Sequence, residues 1–317
     1  MMISYIIRRL ILAIPTVILV TLFTFIMIHL VPGDVVDLMT GTQNYLTQEQ
    51  LRELYRSLGL DKPLMIQYFS WIYNLLKMDM GISLRTGEKV LKMILERIPV
   101  TFELAVFSIT IAVLIGIPLG MLSGVRRGSK VDIIARIFGL AGLSAPTFWV
   151  GAILIVLVSR AFPKFKIFGY TPFFENPISN LSSILLPSLT LGLLISSQVM
   201  RITRASVVEI LAQEFIRVAR SKGLPEKMVV WKHVFRNSAI PVLTTAGIQF
   251  GYLLGGTVVI ENIFSIPGIG RLVFEAVSKR DYPTVLGSVL FITATIVILN
   301  IIVDVIYTFV DPRVRLE

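Results

Sequence analysis

Residues 104–125 read LAVFSITIAVLIGIPLGMLSGV, 22 consecutive positions without Asp, Glu, Lys or Arg. A helix that crosses a bilayer needs about 20 mostly apolar residues, because each adds about 1.5 Å of rise. Five further charge-free runs reach that length: 10–33, 137–159, 176–200, 237–260 and 282–303. All 30 basic and 20 acidic side chains lie outside the six runs. The expected fold is an all-α membrane protein, one domain over 1–317 with six transmembrane helices and both chain ends on the same side.

Composition agrees. Hydrophobic residues make up 55% of the chain, charged residues 16%, and mean hydropathy is +0.79. A soluble domain carries about 45–50% apolar and about 25% charged residues, so lipid is the expected solvent. The net charge of +10 then reads as positive-inside bias, with no nucleic-acid partner. There are no cysteines and two histidines, which removes disulfide scaffolds, thiol nucleophiles and most zinc sites. His29 and His233 fall on opposite sides of the membrane in the six-span reading, so a hydrolytic nucleophile–base pair is not available either.

With the N-terminus inside, the inner segments hold 16 basic and seven acidic residues. The outer segments hold 14 and 13. Basic residues accumulate on the cytoplasmic side, so both termini are expected inside. The first run exceeds the roughly 7–15-residue apolar core of a cleavable signal and lacks a small-residue cleavage site, so it is read as a retained span.

The outer region 34–103 reads as two amphipathic helices. Thr47 and Gln50 form a capping-box pattern ahead of Leu51, Leu54, Tyr55 and Leu58, with Gly59 as a stop. A second helix follows Pro63 and carries Tyr68, Phe69, Trp71, Ile72, Tyr73 and Leu75. That aromatic density suits the membrane–water boundary or a lid over the bundle.

Within the runs, Gly116, Gly120, Gly124 and Gly128 recur at four-residue spacing, as do Gly247, Gly251 and Gly255. Such faces let helices approach closely where lipid supplies no hydrophobic drive. Ser123 reads as a packing serine beside them, and Pro118, Pro146 and Pro187 as kink sites. The intramembrane polar groups are Gln198, Gln249 and Asn300, with Asp304 just beyond the last run. The first three are expected to face a pathway or a neighbouring helix. A carrier driven by an ion gradient needs a charged residue near the midplane, and none of the runs holds one, so energy is expected from outside this chain. The string GVRRGSK at 124–130 lacks phosphate-loop spacing and leaves a span rather than a strand. No nucleotide or metal site is expected here.

The inner loop 201–240 carries the most information. Its core reads EFIRVARSKGLP from Glu214 to Pro225. Helix-forming residues run to Gly223, a helix stop, and Pro225 suits the first turn of a new helix. Leu224, Met228, Val229, Val230 and Trp231 are expected to expose an apolar surface, which a merely solvated basic loop would not need.

The stretch FIRVARSKGLPEKMVVWKHVFRNSAIP, Phe215–Pro241, resembles the EAA loop of ABC-importer permeases of the dipeptide, oligopeptide and nickel class. Its Ala-Arg-x-Lys-Gly-Leu core is followed by Lys-His and Arg-Asn-x-x-x-Pro, as in that class. Residues 6–34, 58–68, 144–151 (SAPTFWVG), 261–270 (ENIFSIPGIG) and 303–313 are similar to the first, B-type permease subunit. One departure stands out: the glutamate of the eponymous Glu-Ala-Ala falls on Arg217, so no role for that glutamate transfers.

The resemblance implies a type I ABC importer in a bacterial or archaeal plasma membrane. A second related permease would complete the pathway. Two ATPases, holding ATP and Mg, would dock on the coupling loop at Arg217, Ala219, Arg220, Lys222, Gly223, Leu224, Pro225, Glu226, Lys227 and Met228. An extracytoplasmic solute-binding protein would deliver peptide, or alternatively a nickel chelate or glutathione-like solute. The competing class is an ATP-independent carrier or channel.

Overall fold

The computed structural model describes residues 2–31, 33, 36 and 47–310. Most of 34–46, the side chain of Asp304, and residues 311–317 with Arg313 and Arg315 lie outside the described residues. Helices dominate, and no strand forms among the described residues beyond one bridge, Ile82 to Lys89. In chain order they are α1 (Met2–Leu30), α2 (Gln48–Ser57), α3 (Leu64–Leu76), α4 (Val90–Val125), α5 (Lys130–Ser144), α6 (Thr147–Ala161) and α7 (Pro177–Leu211). There follow α8 (Glu214–Ser221), α9 (Glu226–Met228), a π-helical turn (Val229–Phe235), α10 (Arg236–Leu254), α11 (Val258–Ile263), α12 (Ile269–Ser278) and α13 (Tyr282–Val310).

Among the described residues, four helices are long and apolar enough to cross a membrane: α1, α4, α7 and α13. The pair α5–α6 makes a fifth if counted as one span, but it bends by 108°. The run 137–159 is therefore not one straight helix. Pro146 lacks an N–H and drives Ala145 out of the helical region, to ψ 127°. The run 237–260 also divides: α10 stops at Leu254, and residues 258–260 begin α11. Other helices outgrow their runs: α1 begins at Met2, α4 begins at Val90, α7 ends at Leu211 and α13 ends at Val310.

The centre of the bundle is the contact of α4 with α7. A Cβ on Gly116, Gly120 or Gly124 would lie 2.8, 2.5 or 2.6 Å from Val199, Thr203 or Val207 of α7. Gly192 returns the contact against Ile111. Glycine here permits backbone approach that a side chain would block. Gly128 does not belong to this face: it sits in the turn after α4 at φ +79°, with open space around it. Gly247, Gly251 and Gly255 face Val303, Leu299 and Ile292 of α13.

Part of the region between α1 and α4 docks on the bundle. Thr47 and Gln50 form the capping box of α2. On α3, Tyr68 is buried between Phe25 and Leu286, and its hydroxyl lies 2.9 Å from Thr21 Oγ1. So α3 packs against α1 and α13 on that side, while Met65, Phe69, Tyr73 and Leu76 remain exposed on the other. A hook at 79–89 is fastened to α13 through Asp281, which accepts from Ser83 Oγ (2.5 Å), Leu84 N (3.0 Å) and Thr284 Oγ1 (2.8 Å). The gap between the end of α10 and the start of α13 is spanned by α11 and α12, held together by Glu261. That carboxylate is fully buried and accepts from Thr257 N (3.1 Å) and Arg271 N (2.7 Å), with Gly270 N also donating. Burial pushes the Glu261 carboxyl up, and the backbone donors pull it back.

Candidate functional site: an inner loop and an intramembrane amide pair

The inner loop begins where α7 ends. Helix α8 is amphipathic: Ile216 and Ala219 are buried in a cluster with Met121, Val207, Ile210, Val229 and Val234. Gly223 then stops the helix at φ +76°. Its N–H donates to Arg220 O (3.0 Å), and Leu224 N donates to Ala219 O (3.4 Å). This pair of bonds is a Schellman motif, and Leu224 supplies the apolar contact that accompanies it by packing on the same cluster. Pro225 follows as the residue capping α9, one position before its first turn.

Arg220 and Glu226 bridge the Gly223 turn with two hydrogen bonds, 2.6 and 3.1 Å. The guanidinium holds the Glu226 carboxyl below its usual range and is itself raised by the carboxylate. Both are exposed, so the pair contributes about 0–1 kcal/mol. Arg220 is thus occupied within the loop, whereas Arg217, Lys222 and Lys227 are exposed.

The apolar surface differs in part from expectation. Val229 is fully buried and Leu224 and Val230 are half-buried, because the chain from 229 turns inward as a π-helix continuous with α10. Met228 and Trp231 are exposed as expected, and Phe215 and Val218 of α8 join them. Ala219 faces the core of the loop rather than its surface.

The second feature lies within the bundle. Gln249 Nε2 of α10 donates to Gln198 Oε1 of α7 at 2.6 Å. Both side chains are half-buried, so each keeps unused amide capacity. Asn300 is exposed on α13 and bonds to neither. Among the described residues no group of His, Asp and Glu could hold a metal ion.

Reading the residues alone missed Asp132. It counts there only as one inner charge, yet it is buried and accepts from Arg204 Nε (2.6 Å), Arg204 Nη2 (3.0 Å), Ser123 Oγ (2.6 Å) and Gly128 N (3.0 Å). Ser123 is therefore a donor to a carboxylate, not only a packing serine. The local signal was the spacing of Ser129 and Asp132, where Ser129 caps α5 by accepting from Asp132 N.

Residues 116–316 match the family described as binding-protein-dependent transport system inner membrane component, and residues 2–105 match its N-terminal counterpart. The dipeptide transport system permease protein DppB of Escherichia coli K12 is 37% identical over 337 aligned residues, covering 99% of both chains. The di/tripeptide transport system permease protein DppB of Pseudomonas aeruginosa is 37% identical over 340, again at 99% of both. Among solved structures, the inward-facing MetNI methionine ABC transporter matches with a TM-score of 0.55 at 18% identity. That likeness covers 70% of this chain and 97% of the other, and it speaks to fold alone. The matched segments span nearly the whole molecule, so the chain belongs to the binding-protein-dependent transport system inner membrane component family.

Proposed function

We propose that this chain is the transmembrane permease subunit of an ATP-driven importer that carries di- or oligopeptides into the cytoplasm. Separate ATPases supply the energy and a solute-binding protein delivers the cargo. The observation that carries the reading is the projecting inner loop. A glycine-stopped helix pair and the π-helical turn after it present Phe215, Val218, Met228 and Trp231 outward, an apolar surface suited to a protein partner. The names of the relatives favour peptides over nickel chelates or glutathione-like solutes. ATP binding would close two ATPases, bring two such loops together and open the pathway outward, and hydrolysis would reset it.

The test is reconstitution of the chain with a second permease, ATPases and binding protein in proteoliposomes. ATP-dependent uptake of labelled dialanine is expected. Uptake of nickel–histidine or glutathione in its place would move the assignment within the class, and uptake by the isolated chain without ATP would overturn it.

The proposed arrangement has six spans with both termini inside, α5–α6 and α10 each crossing once. Single cysteines at Thr86 and Glu175 are expected to react with an impermeant maleimide on intact cells, and ones at Arg127 and Ser221 only after permeabilisation. Surface labelling at Ser221 would reverse the orientation and remove the loop from the ATPases.

The amide pair is placed on the pathway side, because spare amide groups facing lipid are costly. Gln249→Leu removes one interhelical hydrogen bond, worth about 1 kcal/mol, so assembly is expected to survive while uptake falls several-fold. Unchanged uptake in a normally assembled complex would reduce the pair to helix contact.

A further inference from the structure

A loop pushed by an ATPase moves the pathway only if the helices it hangs from move with it. The inner loop rests on α4 and α7 through the cluster of Met121, Val207, Ile210, Ile216 and Val229. Apolar contact of this kind is non-directional and permits sliding. Asp132 is different. Its two oxygens hold Nε and Nη2 of Arg204 in a bidentate fork, and the same carboxylate accepts from Ser123 and Gly128. Arg136 stands at 3.8 Å as a further, exposed cation. A planar fork fixes orientation as well as distance.

The connected segments matter. Ser123 is near the end of α4, Gly128 is in the turn that follows, Asp132 is in the first turn of α5, and Arg204 is on α7. Helix α7 runs unbroken from Pro177 to Leu211. It therefore carries Gln198 of the amide pair, then Arg204, then the entry to the inner loop within roughly 20 Å, at about 1.5 Å per residue. The joint sits between the loop and the pathway on one rigid rod.

We propose that Asp132 and Arg204 are a positioning pair: they fasten the inner ends of α4, α5 and α7 into one body, so that α4 and α5 move with α7 when the loop is displaced. The proposal rests on the reading of the loop as the ATPase contact.

The experiment measures peptide transported per ATP hydrolysed in proteoliposomes holding the full complex. Asp132→Asn is expected to keep assembly and binding-protein-stimulated hydrolysis while lowering that ratio about tenfold, within the usual range of coupling between sites. The chain has no native cysteine, so the double variant Asp132→Cys, Arg204→Cys can be bridged by a short bis-methanethiosulfonate. Bridging is expected to restore most of the ratio, and reduction of the same sample to abolish it again. If Asp132→Asn does not assemble, Arg204→Lys is read by the same ratio, since it keeps the charge and loses the fork. A wild-type ratio in the assembled variant would overturn the proposal. So would uptake and hydrolysis falling in parallel with no recovery on bridging, which marks a purely structural joint. Neither result touches the loop reading, which fails separately if Gly223→Val leaves ATPase binding and stimulation intact.

Discussion

Gly223→Val is expected to abolish uptake while the chain still inserts and pairs with its partner permease. Gly223 lies at φ +76° with nothing within 4 Å of where a Cβ would stand. The cost is therefore conformational, not steric crowding by neighbours. A left-handed residue with a side chain costs about 1–2 kcal/mol, and a β-branched one is a poor occupant of that region. Relief comes from opening the Schellman motif, which frees the Arg220 and Ala219 carbonyls and swings α9 with Met228 away from α8. Asn tolerates the left-handed region better than Val, so Gly223→Asn should retain more activity than Gly223→Val. The measurements are ATPase co-purification and stimulated hydrolysis in the reconstituted complex. Equal, normal values for both variants would show that the geometry of this turn is not read by a partner.

Glu261→Ala should give the largest loss of stability of any single change considered. Removing the carboxylate strands buried N–H groups of Thr257, Gly270 and Arg271. Each unsatisfied buried donor costs about 1–3 kcal/mol, so a loss of about 3 kcal/mol or more is expected. Two glycines make room for this carboxylate: a Cβ on Gly268 would lie 2.4 Å from its carbon, and one on Gly270 would lie 3.1 Å from an oxygen. Gly268→Ala should therefore reproduce much of the defect by displacing the side chain. Thermal midpoints in detergent and the amount of chain recovered from membranes report the effect. A Glu261→Ala chain as abundant and heat-stable as the parent would mean that water or rearrangement satisfies these donors.

The two cases separate what is legible locally from what is not. Gly223 could be read from its neighbours alone, because a helix stop followed by proline is a backbone pattern within five residues. The capping box at Thr47 and Gln50 was legible for the same reason, and so were the close-packing glycines Gly116, Gly120 and Gly124 of α4. Glu261 could be seen only as part of the string ENIFSIPGIG, since two of its three donors arrive from Arg271 and Gly270, ten and nine residues away on another helix.

The six charge-free runs, the charge asymmetry and the loop motif were determined by the sequence itself, because hydropathy, length and turn chemistry act over a few residues at a time. The tertiary structure alone decided that Gln198 meets Gln249, that Val229 turns inward, and that Asp132 joins three helices. Those outcomes depend on which faces meet across the bundle. A carboxylate becomes a joint rather than a surface charge only when Arg204, 72 positions away, is packed against it and the carboxylate itself is buried.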